Sequence, residues 1–431
     1  MKILTNISRL LVGSLLIVSG LIKANDPLGF AYKMEEYFSA EVLGIDWLIP
    51  YALSFALFIC IFEIVLGIAT LLGTRIILVT WAILLMAVFF GFLTFYSAYF
   101  DKVADCGCFG DAMKFTPWQS FTKDIVLLIF ILIIFINNRL IEVNTLKQDI
   151  IFMISSIILI ALFSFGVISW GFPVLFTFIT FVIILLAKNF ILLSQANPGI
   201  SKIDWIAFGI PILFSLIFSI YTLMHLPIKD FRPFAVGKNI PEQMLVPEGS
   251  EEDVYETILA YKNSKTGEVK EYTTEDYPWD DSTWIWVSTE NKIVKKGYEL
   301  PIHDFSIISQ DGEDHTEIII NSPNYNFLLI ANDITKTNKD VQKDINTFAE
   351  NCSKEGIFFI GLTASPYEKI DEFRHEVQAM YDYYITDELT LKTIIRSNPG
   401  LMLIKGGVII KKWHYNDFPS FDEVLTLMNV D

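Results

Sequence analysis

The chain is 431 residues long, 53 % hydrophobic, and carries a formal net charge of −17. With a mean hydropathy of +0.46, that apolar excess excludes an ordinary soluble domain and points to an integral membrane protein. The acidic balance argues against nucleic acid as a partner, because phosphates would be repelled, and four cysteines are too few for a disulfide scaffold.

The charge is unevenly divided. Residues 1–227 hold 12 Lys and Arg against 13 Asp and Glu, whereas residues 228–431 hold 20 against 36. A membrane half followed by an acidic soluble half accounts for the split. Seven apolar segments approach the ~20 residues needed to cross a bilayer. They fall at 3–24, 48–73, 76–100, 121–137, 150–170, 172–193 and 203–225. No A-x-A site follows the first, so it reads as a span and not as a cleaved leader.

Arg9 and Glu63 lie inside these spans. Arg9 sits about one-third of the way into the first, and Glu63 sits past the middle of the second. An intramembrane charge is costly unless paired. Antiparallel spans bring the two to comparable depth, so the expectation is a structural Arg9–Glu63 ion pair. The functional alternative makes Glu63 a proton relay or a quinone contact. Cys60 lies three residues before Glu63, on the same helical face. Loop charges favour a cytoplasmic N-terminus, with 7 Lys and Arg on that side against 5 on the other. Seven spans then place the soluble half outside, in the oxidising compartment.

The third and fourth spans are joined by a loop containing Asp105-Cys106-Gly107-Cys108-Phe109-Gly110-Asp111. A disulfide between residues two apart closes a small, strained ring, which is labile and suits exchange or sensing. Three readings remain open here: a redox-active or structural disulfide, a metal clip, and two inert thiols. The flanking Asp105 and Asp111 would raise a thiol pKa. No His lies in the loop, and two thiolates do not complete a zinc shell, so no metal ligands are assigned. Thr116-Pro117-Trp118 then reads as an N-cap, a first-turn Pro and an interfacial Trp.

Beyond the spans, residues 228–302 are polar with aromatic and Thr-rich patches and read as a few strands. From His303 a regular alternation begins. Strands are expected at 326–331, 357–363 and 383–386, with helices at 338–354, 367–381 and 389–397. A hairpin at 401–405 and 408–413 and a helix at 421–428 complete it. His303, His315, His375 and His414 are scattered among unrelated elements and form no nucleophile–base set.

The order β-α-β-α-β-β-α resembles a thioredoxin-like fold. Asn398-Pro399 stands just before the hairpin, where that family places its cis-proline. The family's Cys-x-x-Cys would fall near 332–338, which here has no cysteine; Cys352 lies down the following helix. This departure argues against a self-contained thiol enzyme. Residues 1–138 resemble the DoxX/MauE group of four-helix redox-associated membrane proteins. The marks are Ser19-Gly20-Leu21-Ile22-Lys23, Glu63 with Gly67, and Cys106-Gly107-Cys108-Phe109-Gly110. The whole arrangement looks like the long members of that group in Bacteroidota, where further spans and a periplasmic thioredoxin-like domain follow.

The fold class expected is therefore a multi-span α-helical membrane domain followed by a periplasmic α/β thioredoxin-like domain. Its parts are a four-helix unit (1–138), three further spans (139–227), a strand-rich connector (228–302) and a degenerate thioredoxin-like domain (303–431). The resemblance implies a bacterial inner-membrane accessory of periplasmic thiol handling or electron transfer, with Cys106 and Cys108 as the dithiol. A quinone is admitted as a cofactor, and a periplasmic or membrane protein is the expected partner. The competing reading is a non-catalytic anchoring or docking subunit of an envelope complex.

Overall fold

In a computed structural model, residues 1–103, 107, 109–194, 200–251, 254–295 and 297–430 are described. Helices α1 (Lys2–Asn25), α2 (Pro27–Phe38), α3 (Ala52–Leu72), α4 (Ile76–Phe100) and α5 (Pro117–Ile136) form the first unit. Helices α6 (Leu146–Gly166), α7 (Phe172–Ser194) and α8 (Ile200–Met224) follow. Seven of the described helices are long and apolar enough to cross a membrane, and the protein is a membrane protein. Among α1–α8 the exception is α2, a helix not expected from the sequence. Its signal was present: Asp26 caps the helix by accepting from the Gly29 amide, and Pro27 occupies the first turn.

The centre of the first unit is the α1–α3 pair, which approaches closely because glycines face each other. A Cβ on Gly67 would lie 2.7 Å from the Gly13 carbonyl oxygen, and one on Gly20 would lie 2.9 Å from that of Cys60. Small residues at a helix crossing let backbones meet and maximise dispersion contact where lipid supplies no hydrophobic drive. The later helices do not stand apart. Phe176, Phe181, Ala207 and Phe218 share one continuous core with Ile17, Leu21 and Ile64.

The acidic half holds two sheets. After the short α9 (Ile240–Gln243), β1 (Val254–Asn263), β2 (Val269–Thr273) and β3 (Trp284–Lys295) form an antiparallel sheet in the order β2-β1-β3. The mixed α/β domain then runs through α10 (Thr316–Ile320), β4 (Tyr325–Ile330), α11 (Gln342–Lys354), β5 (Phe358–Thr363) and α12 (Tyr367–Val377). It ends with β6 (Tyr383–Ile385), α13 (Glu388–Ile394), β7 (Gly400–Lys405), β8 (Val408–His414) and α14 (Phe421–Val430). The strand order is β6-β5-β4-β7-β8. Strands β4, β5, β6 and β8 share one direction, and β7 runs against them.

Central β4 is apolar on both faces, as the middle strand of a covered sheet must be. Its period of two divides the core. Phe327 and Leu329 pack with Ile345, Phe348 and Cys352 of α11, whereas Leu328 and Ile330 pack with Leu391 and Ile394 of α13.

Candidate functional site

The loop between α4 and α5 is anchored on both sides of its cysteines. Val103 and Phe109 are buried. Phe109 packs against Phe163 at 6.0 Å between ring centroids, and Lys123 Nζ lies 5.3 Å from the Phe109 centroid. Gly107 has φ +67, and a Cβ there would lie 3.1 Å from Lys33 Cγ on α2. That left-handed conformation and the tight approach both favour glycine. Cys106 and Cys108 themselves lie outside the described residues. The re-entry helix α5 starts as its sequence predicts. Thr116 and Gln119 form a reciprocal capping box, with Pro117 in the first turn.

Arg396 binds this end of the membrane unit to the α/β domain. Its Nε donates to both carboxylate oxygens of Asp26, at 3.0 and 2.9 Å, and its Nη2 lies 3.5 Å from Asp111. The guanidinium carbon also sits 5.4 Å from the Tyr32 ring centroid, beside Lys392 at 4.7 Å. Asp111, expected to depress thiolate formation, thus has a cation at hand. Two residues beyond Arg396 comes Asn398-Pro399, whose peptide bond is cis. Asn398 is stitched to the 332–338 segment. Its side-chain amide donates to the Asp333 carbonyl at 2.8 Å, its Oδ1 accepts from Thr337 Oγ1 at 2.9 Å, and its carbonyl accepts from the Asn338 amide at 3.0 Å. Burial raises the Glu35 carboxyl of α2 above its ordinary range, partly offset by Lys392 and Lys336. Lys336 of the 332–338 segment is thus near enough to α2 for its charge to be felt at Glu35.

A second set of contacts fixes the domain to the exit of α8. Asp230 pairs with Arg232 at 2.8 Å and Lys412 at 2.5 Å. Burial opposes ionisation of Asp230, yet the two cations overcome it and hold its carboxyl well below the usual range. His225 Nδ1 lies 2.7 Å from Asp417, and Asn416 donates to the Met224 carbonyl at 2.8 Å.

Inside the membrane unit the expected Arg9–Glu63 pair is replaced by Lys23–Glu63. Lys23 Nζ lies 2.5 Å from Glu63 Oε1 and 3.0 Å from Ser19 Oγ, with both ion-pair side chains under 5 % exposed. The physical reason is register. Gly13 faces Gly67 and Gly20 faces Cys60, so Arg9 lies level with residues 70–71 of α3. Glu63 is eight residues away, ~12 Å along the axis. Arg9 instead donates to the Thr70 and Leu71 carbonyls at 3.0 and 3.1 Å and to Asn144 Oδ1 at 3.1 Å. Lys23, near the end of α1, bends back along the helix to reach its partner.

Cys352 is buried in the α/β core, and burial pushes its thiol up to about 12. It has no exchange chemistry in that setting. Cys60 is likewise fully buried. The turn before α10 gathers Asp311, Glu313 and His315 within 4.8 Å of one another, a grouping not noticed in the sequence. The two acids are exposed, and carboxylates of this kind are common without a metal.

Comparison with known proteins fits the membrane unit best. Over residues 1–137 the chain is similar to the MauE family, described as methylamine utilisation protein MauE. Residues 255–296, the three-stranded sheet, match a domain of unknown function, DUF8463. A curated relative, Protein TlpB of Flavobacterium psychrophilum, is 30 % identical over 119 residues. That match covers 26 % of this chain, which spans about a quarter of the relative's length, 27 %. No solved structure matches the chain. The MauE similarity and the seven long apolar helices agree in making this a membrane protein.

Proposed function

We propose that this protein is an accessory of periplasmic thiol–disulfide handling in a bacterial inner membrane, with its N-terminus cytoplasmic and its acidic half outside. Cys106 and Cys108 are the dithiol. The α/β domain is a thioredoxin-like scaffold without its own cysteine pair, and it acts as the docking module for a partner protein. In the exchange step a partner disulfide is reduced while Cys106 and Cys108 become a disulfide. Two electrons and two protons pass to the partner, and the reverse direction balances in the same way.

The observation that carries this reading is the Arg396 clamp on Asp26 and Asp111. It joins the segment bearing the cis-Pro399 to the loop that bears the two cysteines. On a thioredoxin-like scaffold that proline edge is where a substrate thiol would be received. Here Arg396, beside that edge, reaches Asp111 of the loop whose sequence carries the two cysteines.

Alkylation-shift trapping in native membranes tests the proposal. Cys106 and Cys108 are expected to change between thiol and disulfide when the envelope is challenged with oxidant and reductant. The Cys106→Ser variant should trap a mixed disulfide with the partner. A pair locked in one state under both challenges overturns the redox role and leaves the anchoring-subunit reading.

A further inference from the structure

The ion pair Lys23–Glu63 borders a cavity of about 40 Å³ enclosed by α1, α3, α4, α5 and Phe109. Oε1 of Glu63 is held by Lys23, but Oε2, although buried, has no hydrogen-bond partner among the described residues. A buried carboxylate oxygen left without a donor is costly, so a water donor there is favoured. Three further polar side chains line the same space: Ser19, Lys123 and Asp124. Asp124 accepts from Thr94 Oγ1 at 3.0 Å and from Lys123 Nζ at 2.7 Å. The side chain of Lys123 is 23 % exposed against 8 % for Asp124. Polar groups thus run stepwise from Glu63 to the surface beside the cysteine loop.

The apolar remainder of the wall includes Met86 and Phe90, which face the cavity from α4. A space of that size holds roughly two or three waters, and a water needs two to four polar partners, which this wall supplies. It is too small for a substituted ring, so the quinone considered from the sequence does not fit it as built.

We propose that this cavity is a hydrated, proton-exchanging site. Water donates to Oε2 of Glu63 and links it, past Asp124 and Lys123, to the solvent at the end of the membrane unit that faces the α/β domain. Glu63 then has proton access from that end despite lying within the span. The site does not depend on the dithiol reading and stands if Cys106 and Cys108 are inert.

X-ray radiolytic labelling of the full chain in lipid nanodiscs tests it, because bound water generates hydroxyl radicals in place. Met86 and Phe90 should be labelled several-fold faster than lipid-facing Phe89, whose exposure is to the bilayer. Infrared spectroscopy supplies the second readout. The carboxylate band lost in Glu63→Gln should shift promptly on transfer to D2O. Labelling of Met86 and Phe90 no faster than Phe89, or a Glu63 band that stays unshifted, means a dry and sealed pair and overturns the proposal.

Discussion

Replacing Arg396 by Gln keeps the side-chain stem but removes the charge from the clamp between the two halves of the protein. The side chains of Arg396 and Asp26 are 7 % and 19 % exposed. Removing one partner of a buried pair costs ~3–5 kcal/mol. Water reaches about a fifth of Asp26, and its bond to the Gly29 amide remains, so about 2 kcal/mol is expected here. The loss falls on the interface, because the guanidinium reaches Asp26 and Asp111 of the membrane unit. Hydrogen exchange of the full chain in nanodiscs reads it directly: amides in 27–38 and 332–338 should exchange about thirtyfold faster for 2 kcal/mol. Asp26→Asn is the matching variant, since asparagine caps a helix as well as aspartate does. If the two residues act as a pair, the double variant is no worse than the worse single one. Unchanged exchange in Arg396→Gln, or strictly additive losses, would refute the clamp.

Two further outcomes follow from the same geometry. Burial lowers His414 to about 4, partly opposed by Asp417 and reinforced by His225, and its Nδ1 accepts from the Asn416 amide at 3.1 Å. A base with a depressed folded pKa contributes full stability above its ordinary value and loses it as pH falls. Thermal melts should therefore lose about 3 kcal/mol between pH 6.5 and 4, and His414→Asn should flatten that limb; a wild-type curve level across this window contradicts the assignment. Gly67→Ala places a methyl against the Gly13 carbonyl and Ile17, so it should lower stability by about 1–3 kcal/mol. Gly91→Ala, with nothing within 4 Å, is the control for helix substitution, and equal melting of the two would dismiss the close α1–α3 contact.

Reading the sequence located every membrane span to within a few residues, because twenty apolar residues in a row have one stable solution in lipid. It placed the α/β alternation of the acidic half for a similar reason: periods of 2 and 3.6 are local properties of the chain. Thr116-Pro117 marked the start of α5, since a cap is satisfied within four residues. Asp26-Pro27 carried the same kind of signal for α2, but the apolar segments on either side drew the reading past it.

Which charges meet is another matter. Arg9 and Glu63 were visible as costly residues, and their pairing was expected from depth alone. The choice of Lys23 depends on the helix register set by Gly13, Gly20 and Gly67, and a slip of two turns is invisible to composition. The clamp of Arg396 on Asp26 joins residues 370 positions apart, so no local pattern announces it. Sequence by itself determined that this chain crosses a membrane, carries an acidic α/β half, and holds two cysteines in one polar loop, because these are matters of solvent preference along the chain. Tertiary structure alone decided that the cis-proline edge sits against that loop and that Glu63 opens on a cavity, because both arise where distant segments pack.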